Sequence, residues 1–141
     1  MPELLSVVER GWQGARECSL VLARQGIRVT HLVKGRLPPG VRALIQPVDG
    51  IALAAAPAWR FWGLIWGRLA SGALSRRLRW VVCDRERTLS AIAPWCRRAG
   101  VTPALIRELP DGAELSVDGR VLTLSELVSG EKPGDASSRS A

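Results

Sequence analysis

At 141 residues and 47% apolar content, the chain has the size and composition of one domain with its own core, which excludes wholesale disorder. Its formal charge is +7, and all but two of its 20 basic residues are arginine, the exceptions being Lys34 and Lys132. One histidine and three scattered cysteines without a C-x-x-C spacing exclude a metal cluster as a reading of the sequence.

The arginine bias reflects either the base composition of the gene or a surface that meets anions such as nucleotide phosphates, acidic lipid or nucleic acid. Nucleic acid is set aside, because the arginines are scattered and no recognition motif is readable. The odd cysteine count (Cys18, Cys83, Cys96) predicts buried thiols in a reducing compartment. The opening MPELLSVVERGW is acidic and lacks the apolar segment of a secretory signal. Together these predict a cytoplasmic protein, with attachment to a membrane surface left open.

In chain order, LLSVV at 4–8 reads as a first buried strand. The turn ERGWQGAR follows, then a helical pattern that places Ala15, Cys18, Val21, Leu22 and Gln25 on one face and ends at Gly26. The β-branched run IRVTHLV at 27–33 predicts a second strand, and KGRLPPG at 34–40 a loop. VRALIQP at 41–47 reads as a third strand. So short a loop would make it antiparallel to the second strand or non-adjacent to it, since a parallel crossover needs a dozen residues or more.

Residues 51–74 form a long apolar stretch with a helix predicted from about Pro57, because proline suits a first helical turn. LRWVVCD at 78–84 reads as a strand. The following helix, ending at Gly100, carries Leu89, Ile92, Trp95, Cys96 and Ala99 on one face and Pro94 opposite. VTPALIREL at 101–109 predicts another strand. Asp118-Gly119 inside ELSVDGRVLTL signals a type I′ hairpin, and SELVSG a short helix capped by Ser125. The polar residues 131–141 read as a tail.

The alternation predicts a single α/β domain of Rossmann-like type over 1–130. Its sheet is mostly parallel, with helices on both faces and a C-terminal β-hairpin. In such a sheet ligands bind beyond the carboxyl ends of the strands, which selects the loops 9–16, 34–40 and 84–88. In the first, Gly11, Gln13, Gly14 and Arg16 would precede a helix N-terminus and offer free N–H groups and positive charge to an anion. The other reading of GWQG is a turn that simply permits the bend. Neither G-x-G-x-x-G nor a P-loop is present, so no cofactor is assigned.

Lys34 and Arg36 add positive charge at the second loop, and Asp84 with Arg85 stands at the third, where a carboxylate accepts a ribose hydroxyl or serves as acid or base. The preference of Asp for N-cap positions makes capping of the following helix the favoured reading of Asp84. His31, inside a buried strand, reads as structural. No Ser/His/Asp set or carboxylate pair is readable, so catalysis is neither assigned nor denied.

The segment PAWRFWGLIWGRLASGAL is the least ordinary. Trp59, Trp62, Trp66, Leu69 and Ala73 share one stripe, Phe61 and Ile65 widen it, and Arg60, Leu64, Arg68 and Ser71 lie across from it. Three roles fit: a core helix on the sheet, an interface for a protein partner or a second copy, and a helix lying in a membrane surface. Arg60 and Arg68 argue against a spanning helix, at about 2.5–3.5 kcal/mol each near a bilayer centre.

ERGWQGARECSLVLARQGIRVTHLVKG resembles the opening of the N-terminal domain of GT-B glycosyltransferases, where a glycine-bearing loop precedes a helix ending "LA…G" and a strand. The pre-ATP-grasp domain opens in a similar way, and the resemblance covers about the first quarter of the chain. It implies a Rossmann-like fold with Gly11 to Gly14 at an interdomain cleft. The family's second domain and its donor-binding glutamate motif have no counterpart here, so the resemblance implies the fold more than the transferase activity. The sequence therefore predicts a domain binding an anionic small molecule of nucleotide or nucleotide-sugar type, working with a partner subunit. The alternative is an assembly or peripheral membrane protein docking through residues 57–74.

Overall fold

The computed structural model describes residues 2–9, 26–35, 51–109, 112–123 and 126–127. Seven strands form one sheet: β1 (Glu3–Val8), β2 (Arg28–Lys34), β3 (Ile51–Ala56), β4 (Leu78–Cys83), β5 (Thr102–Leu109), β6 (Gly112–Val117) and β7 (Arg120–Leu122). Two described helices, α1 (Ala58–Ser75) and α2 (Glu86–Arg98), connect β3 to β4 and β4 to β5. The strand order is β3-β2-β1-β4-β5-β6-β7. The first five strands are parallel, in the order of a Rossmann-type doubly wound sheet, and β6 and β7 extend it as antiparallel strands.

The third strand differs from the sequence expectation. Residues 41–47 lie outside the described residues, and the strand beside β2 is IALAAA, Ile51–Ala56, parallel to it from Val29↔Ile51 to Lys34↔Ala56. The connection runs over residues 35–50, long enough for a parallel crossover, so the objection to parallel neighbours disappears. Alanine favours helix in isolation, but pairing along β2 overrides a preference of under ~1 kcal/mol per residue. Pro57 then divides strand from helix. It holds its predecessor extended, adopts φ −64° and ψ 158° itself, and its carbonyl accepts the first bonds of α1 from Arg60 and Phe61 at 3.0 Å.

Both described helices pack on one face of the sheet. Phe61, Ile65 and Leu69 of α1 and Ile92 and Cys96 of α2 bury against Leu5, Val7, Leu32, Val81 and Cys83. The opposite face buries Leu4, Val29, Trp80, Val82, Ala104 and Ile106. Strands apolar on both sides are what a parallel sheet covered on both faces requires. The helix expected over 15–25 lies outside the described residues.

A register shift between Glu3 and Leu4 leaves Arg79 of β4 unpaired, because Leu78 pairs with Glu3 and Trp80 with Leu4. The extra residue reverses the alternation, so Leu78 joins Val81 on the helix-bearing face. There it meets Gly72 of α1, where a Cβ would stand 2.6 Å from the Leu78 Cβ. Gly72 thus permits the close seating of α1 on β4.

The C-terminal strands follow their turn chemistry. Asp118 (φ 50°) and Gly119 (φ 82°) both adopt positive φ between the paired Val117 and Arg120, as a type I′ turn demands. Ser125 lies outside the described residues, and the cap there is Thr123. Its hydroxyl accepts from the Glu126 N–H at 3.2 Å while the Glu126 carboxylate accepts from the Thr123 N–H at 3.3 Å, a reciprocal capping box. Leu127 then buries on the second face, and its carbonyl accepts from Trp80 Nε1 at 3.0 Å.

Candidate functional site

The sheet reverses its strand order between β1 and β4, which run outward to β2 and β5 respectively. At and just beyond the carboxyl ends of β1, β2 and β4 lie Glu9, Lys34, Asp84 and Arg85, and the first turn of α2 adds Thr88. Glu9 is the centre of this group. Its side chain is only 4% exposed, and its Oε1 stands 3.6 Å from Lys34 Nζ and 3.8 Å from an Arg85 guanidinium nitrogen. Its second oxygen accepts a hydrogen bond from the buried Thr88 hydroxyl.

Asp84 fixes the backbone of the same group. Both its carboxylate oxygens accept from the Glu9 N–H, at 2.9 and 3.0 Å, and its own N–H donates to the Val7 carbonyl at 3.3 Å. This corrects the capping reading: the N-cap of α2 is Arg85, which makes no side-chain capping bond. Asp84 ties the end of β4 to the end of β1 across the reversal.

The arrangement is a nearly buried carboxylate flanked by two cations, each about a third exposed (34% for Lys34 and 31% for Arg85). At 3.6 and 3.8 Å the contacts are ionic and longer than hydrogen bonds of 2.7–3.2 Å. Glu9 positions the cations while leaving their N–H groups available to a bound group.

Of the residues singled out in the sequence, Lys34, Asp84 and Arg85 come together here. Gly11, Gln13, Gly14, Arg16 and Arg36 lie outside the described residues. Glu9 and Thr88 fall at the edges of the selected loops 9–16 and 84–88, but nothing in the sequence singles them out within those loops. The carboxyl-end rule reaches Glu9, which follows β1 directly, but the glycines and Arg16 of that loop carry the anion signal in sequence. A threonine in a first helical turn, like Thr88, is ordinary.

The three tryptophans are elsewhere, on the outer side of α1. Trp59 is 82% exposed, Trp62 38% and Trp66 36%, so they do not form the core stripe, which belongs to Phe61, Ile65 and Leu69. On α2 the buried residues are Thr88, Ile92 and Cys96, while Trp95 is half-exposed and Ala99 exposed, against the expected stripe.

No known protein family, curated protein or solved structure matches the chain.

Other chemistry-bearing residues are quiet. His31 has no exposed surface, and burial lowers its pKa to about 4, so the ring is neutral at physiological pH. Burial raises the Cys96 thiol to about 11 and raises Cys83 further, so neither is a thiolate nucleophile. No group of three or more metal-ligating side chains exists among the described residues. An open groove of about 460 Å³ runs between α2 and the β5–β6 strands. The ion pair of Arg97 and Asp118 at 2.8 Å, two residues on its wall, satisfies part of its polar lining internally. The groove lies away from the strand reversal, and the Glu9 group, where buried charge converges, is the stronger candidate.

Proposed function

We propose that the chain is a Rossmann-like binding domain that takes an anionic small molecule, of the nucleotide or nucleotide-sugar class, at the carboxyl ends of β1, β2 and β4. The observation that carries this reading is the nearly buried Glu9 holding Lys34 and Arg85 at the strand-order reversal. Placing charge in a nearly buried position is costly, and such groups gather where ligands are met. Lys34 and Arg85 supply the attraction for phosphate, Arg85 with a fork of donors suited to its oxygens. Glu9 is a positioning residue, and Asp84 holds the loop that carries it. A partner subunit would supply whatever chemistry follows binding.

A thermal-shift series against nucleotides and nucleotide sugars tests the proposal. A ligand at a hundred times its Kd adds about 2.7 kcal/mol of stability. Lys34→Ala and Arg85→Ala should each weaken that ligand about tenfold or more, through loss of a charge-assisted contact worth ~1.5–3 kcal/mol. Glu9→Gln separates positioning from mere structure. It should lower stability by roughly 1–3 kcal/mol by disrupting the ionic group, and weaken anion binding in the folded protein because Lys34 and Arg85 lose the charge that holds them in place. No shift with any of these compounds at millimolar concentration would overturn the reading.

A further inference from the structure

α1 is apolar nearly all the way round. Its inner stripe, Phe61, Ile65 and Leu69, is buried, while Trp59 and Leu74 stand 82% and 87% exposed on the outside. Trp62 and Trp66 fill the flank between, and Trp66 meets Trp95 of α2 edge-to-face at 5.3 Å, which carries the aromatic surface onto the second helix. Trp59 and Leu74 are fifteen residues apart, roughly 22 Å along a helix of 1.5 Å rise, so the exposed apolar face runs the length of the element. A helix apolar on both sides is covered on both sides in its working state.

The charges around this face identify what covers it. From Pro57 to Cys83 the chain has no acidic residue. Arg60, Arg76 and Arg77 are exposed, and none of them makes an ion pair among the described residues. Arg98 lies 5.4 Å over the ring of Trp95 at the edge of the aromatic surface. Two copies of this face would bring like charges together, which disfavours self-association. Trp and Arg together suit the headgroup region of a bilayer, where the ring lies at the apolar boundary and the guanidinium reaches outward. No described helix is long and apolar enough to cross a membrane, so the contact is with the surface.

We infer that the outer face of α1, with Trp95 of α2, docks on an anionic membrane surface. The aromatic residues supply depth and the arginines supply lipid charge selectivity.

Flotation of the full chain with vesicles of phosphatidylcholine alone, or of phosphatidylcholine mixed with anionic phosphatidylglycerol, tests this. The chain should float with the anionic vesicles and only weakly with the neutral ones, and raised salt should release it. Arg60→Gln with Arg98→Gln should lower partition by about fivefold per arginine, since each cation near such a surface contributes about that factor. The pair Trp59→Ser and Leu74→Ser should lower it at least tenfold while leaving the melting temperature unchanged, because neither side chain is in the core. Absence of flotation with anionic vesicles at low salt overturns the inference. So does a wild-type dimer in sedimentation that the Trp59→Ser, Leu74→Ser variant makes monomeric, since the face would then belong to a second copy.

Discussion

His31 sits mid-sheet, paired in register with Ser6 of β1 and Leu53 of β3, and has no exposed surface. A cation there would lose its hydration, so burial lowers the pKa from 6.5 to about 4. The unfolded chain therefore binds a proton in a pH range where the folded protein does not. The stability that His31 contributes is fully present above pH 6.5 and is lost as the pH falls from there toward 4. Between pH 7 and pH 5 the loss should be about 2 kcal/mol, from 1.36 kcal/mol per pH unit over the part of the range where the two states differ. Carboxylates titrate mostly below this interval, and no other histidine exists. Urea unfolding at the two pH values measures the loss, and His31→Leu should flatten the dependence whatever it does to stability at pH 7. A wild-type curve already flat between pH 7 and 5 would contradict a neutral His31 in the core. The structural role of this residue was legible in the sequence, because its neighbours Leu32 and Val33 mark a strand with little access to water.

At the level of elements, α1 shows where sequence reading works and where it stops. Its start was legible at Pro57. Its inward face was not, because Arg60, Arg68 and Ser71 mark only a narrow wet side and leave most of the circumference apolar. Size then pointed to the tryptophans, whereas the sheet chose Phe61, Ile65 and Leu69, the row that ends at Gly72. That choice is a packing decision: at Gly72 the backbone comes so near Leu78 that an added Cβ would stand 2.6 Å from the Leu78 Cβ and 2.8 Å from its Cδ2. Two glycine substitutions test it. Gly67 has nothing within 4 Å of a built Cβ, so Gly67→Ala should stabilise by the helix preference of alanine, about 0.8–1.0 kcal/mol. Gly72→Ala gains the same preference but forces α1 off β4, and overpacking of about 1–3 kcal/mol should leave a net loss. Urea midpoints of the two variants should therefore move in opposite directions. If both rise, α1 is not seated on Leu78 as described. β3 was missed for a related reason, since alanines lose their helical bias only when a neighbouring strand supplies hydrogen bonds.

For the whole molecule, the parallel sheet and its terminal hairpin were legible from the alternation of strands and helices, while the strand order was not. The order depends on which segment pairs with β2, and that is fixed by long-range pairing rather than local pattern. The resulting fold places the charged crevice at the carboxyl ends of the strands and the aromatic face on the helix layer, with α2 belonging to both. Thr88 in its first turn donates to Glu9, and Trp95, seven residues on and roughly 10 Å along the axis, meets Trp66. Ile92 between them and Cys96 just beyond bury without exposed surface, which ties α2 to the core along its length. Coupling between two sites needs an element with two arrangements that each ligand prefers differently. We therefore expect the crevice and the aromatic face to act independently. The Kd of an anionic nucleotide should change by no more than about twofold on saturation with anionic vesicles, the usual limit for separate sites. By linkage the vesicle partition should be equally insensitive to the nucleotide. The measurement belongs at about 0.15 M salt, where a Debye length of about 8 Å keeps the lipid charge from reaching the crevice directly. A coupling of tenfold or more, abolished by Thr88→Val but not by Lys34→Ala, would mean that α2 shifts on the membrane and carries the signal to Glu9.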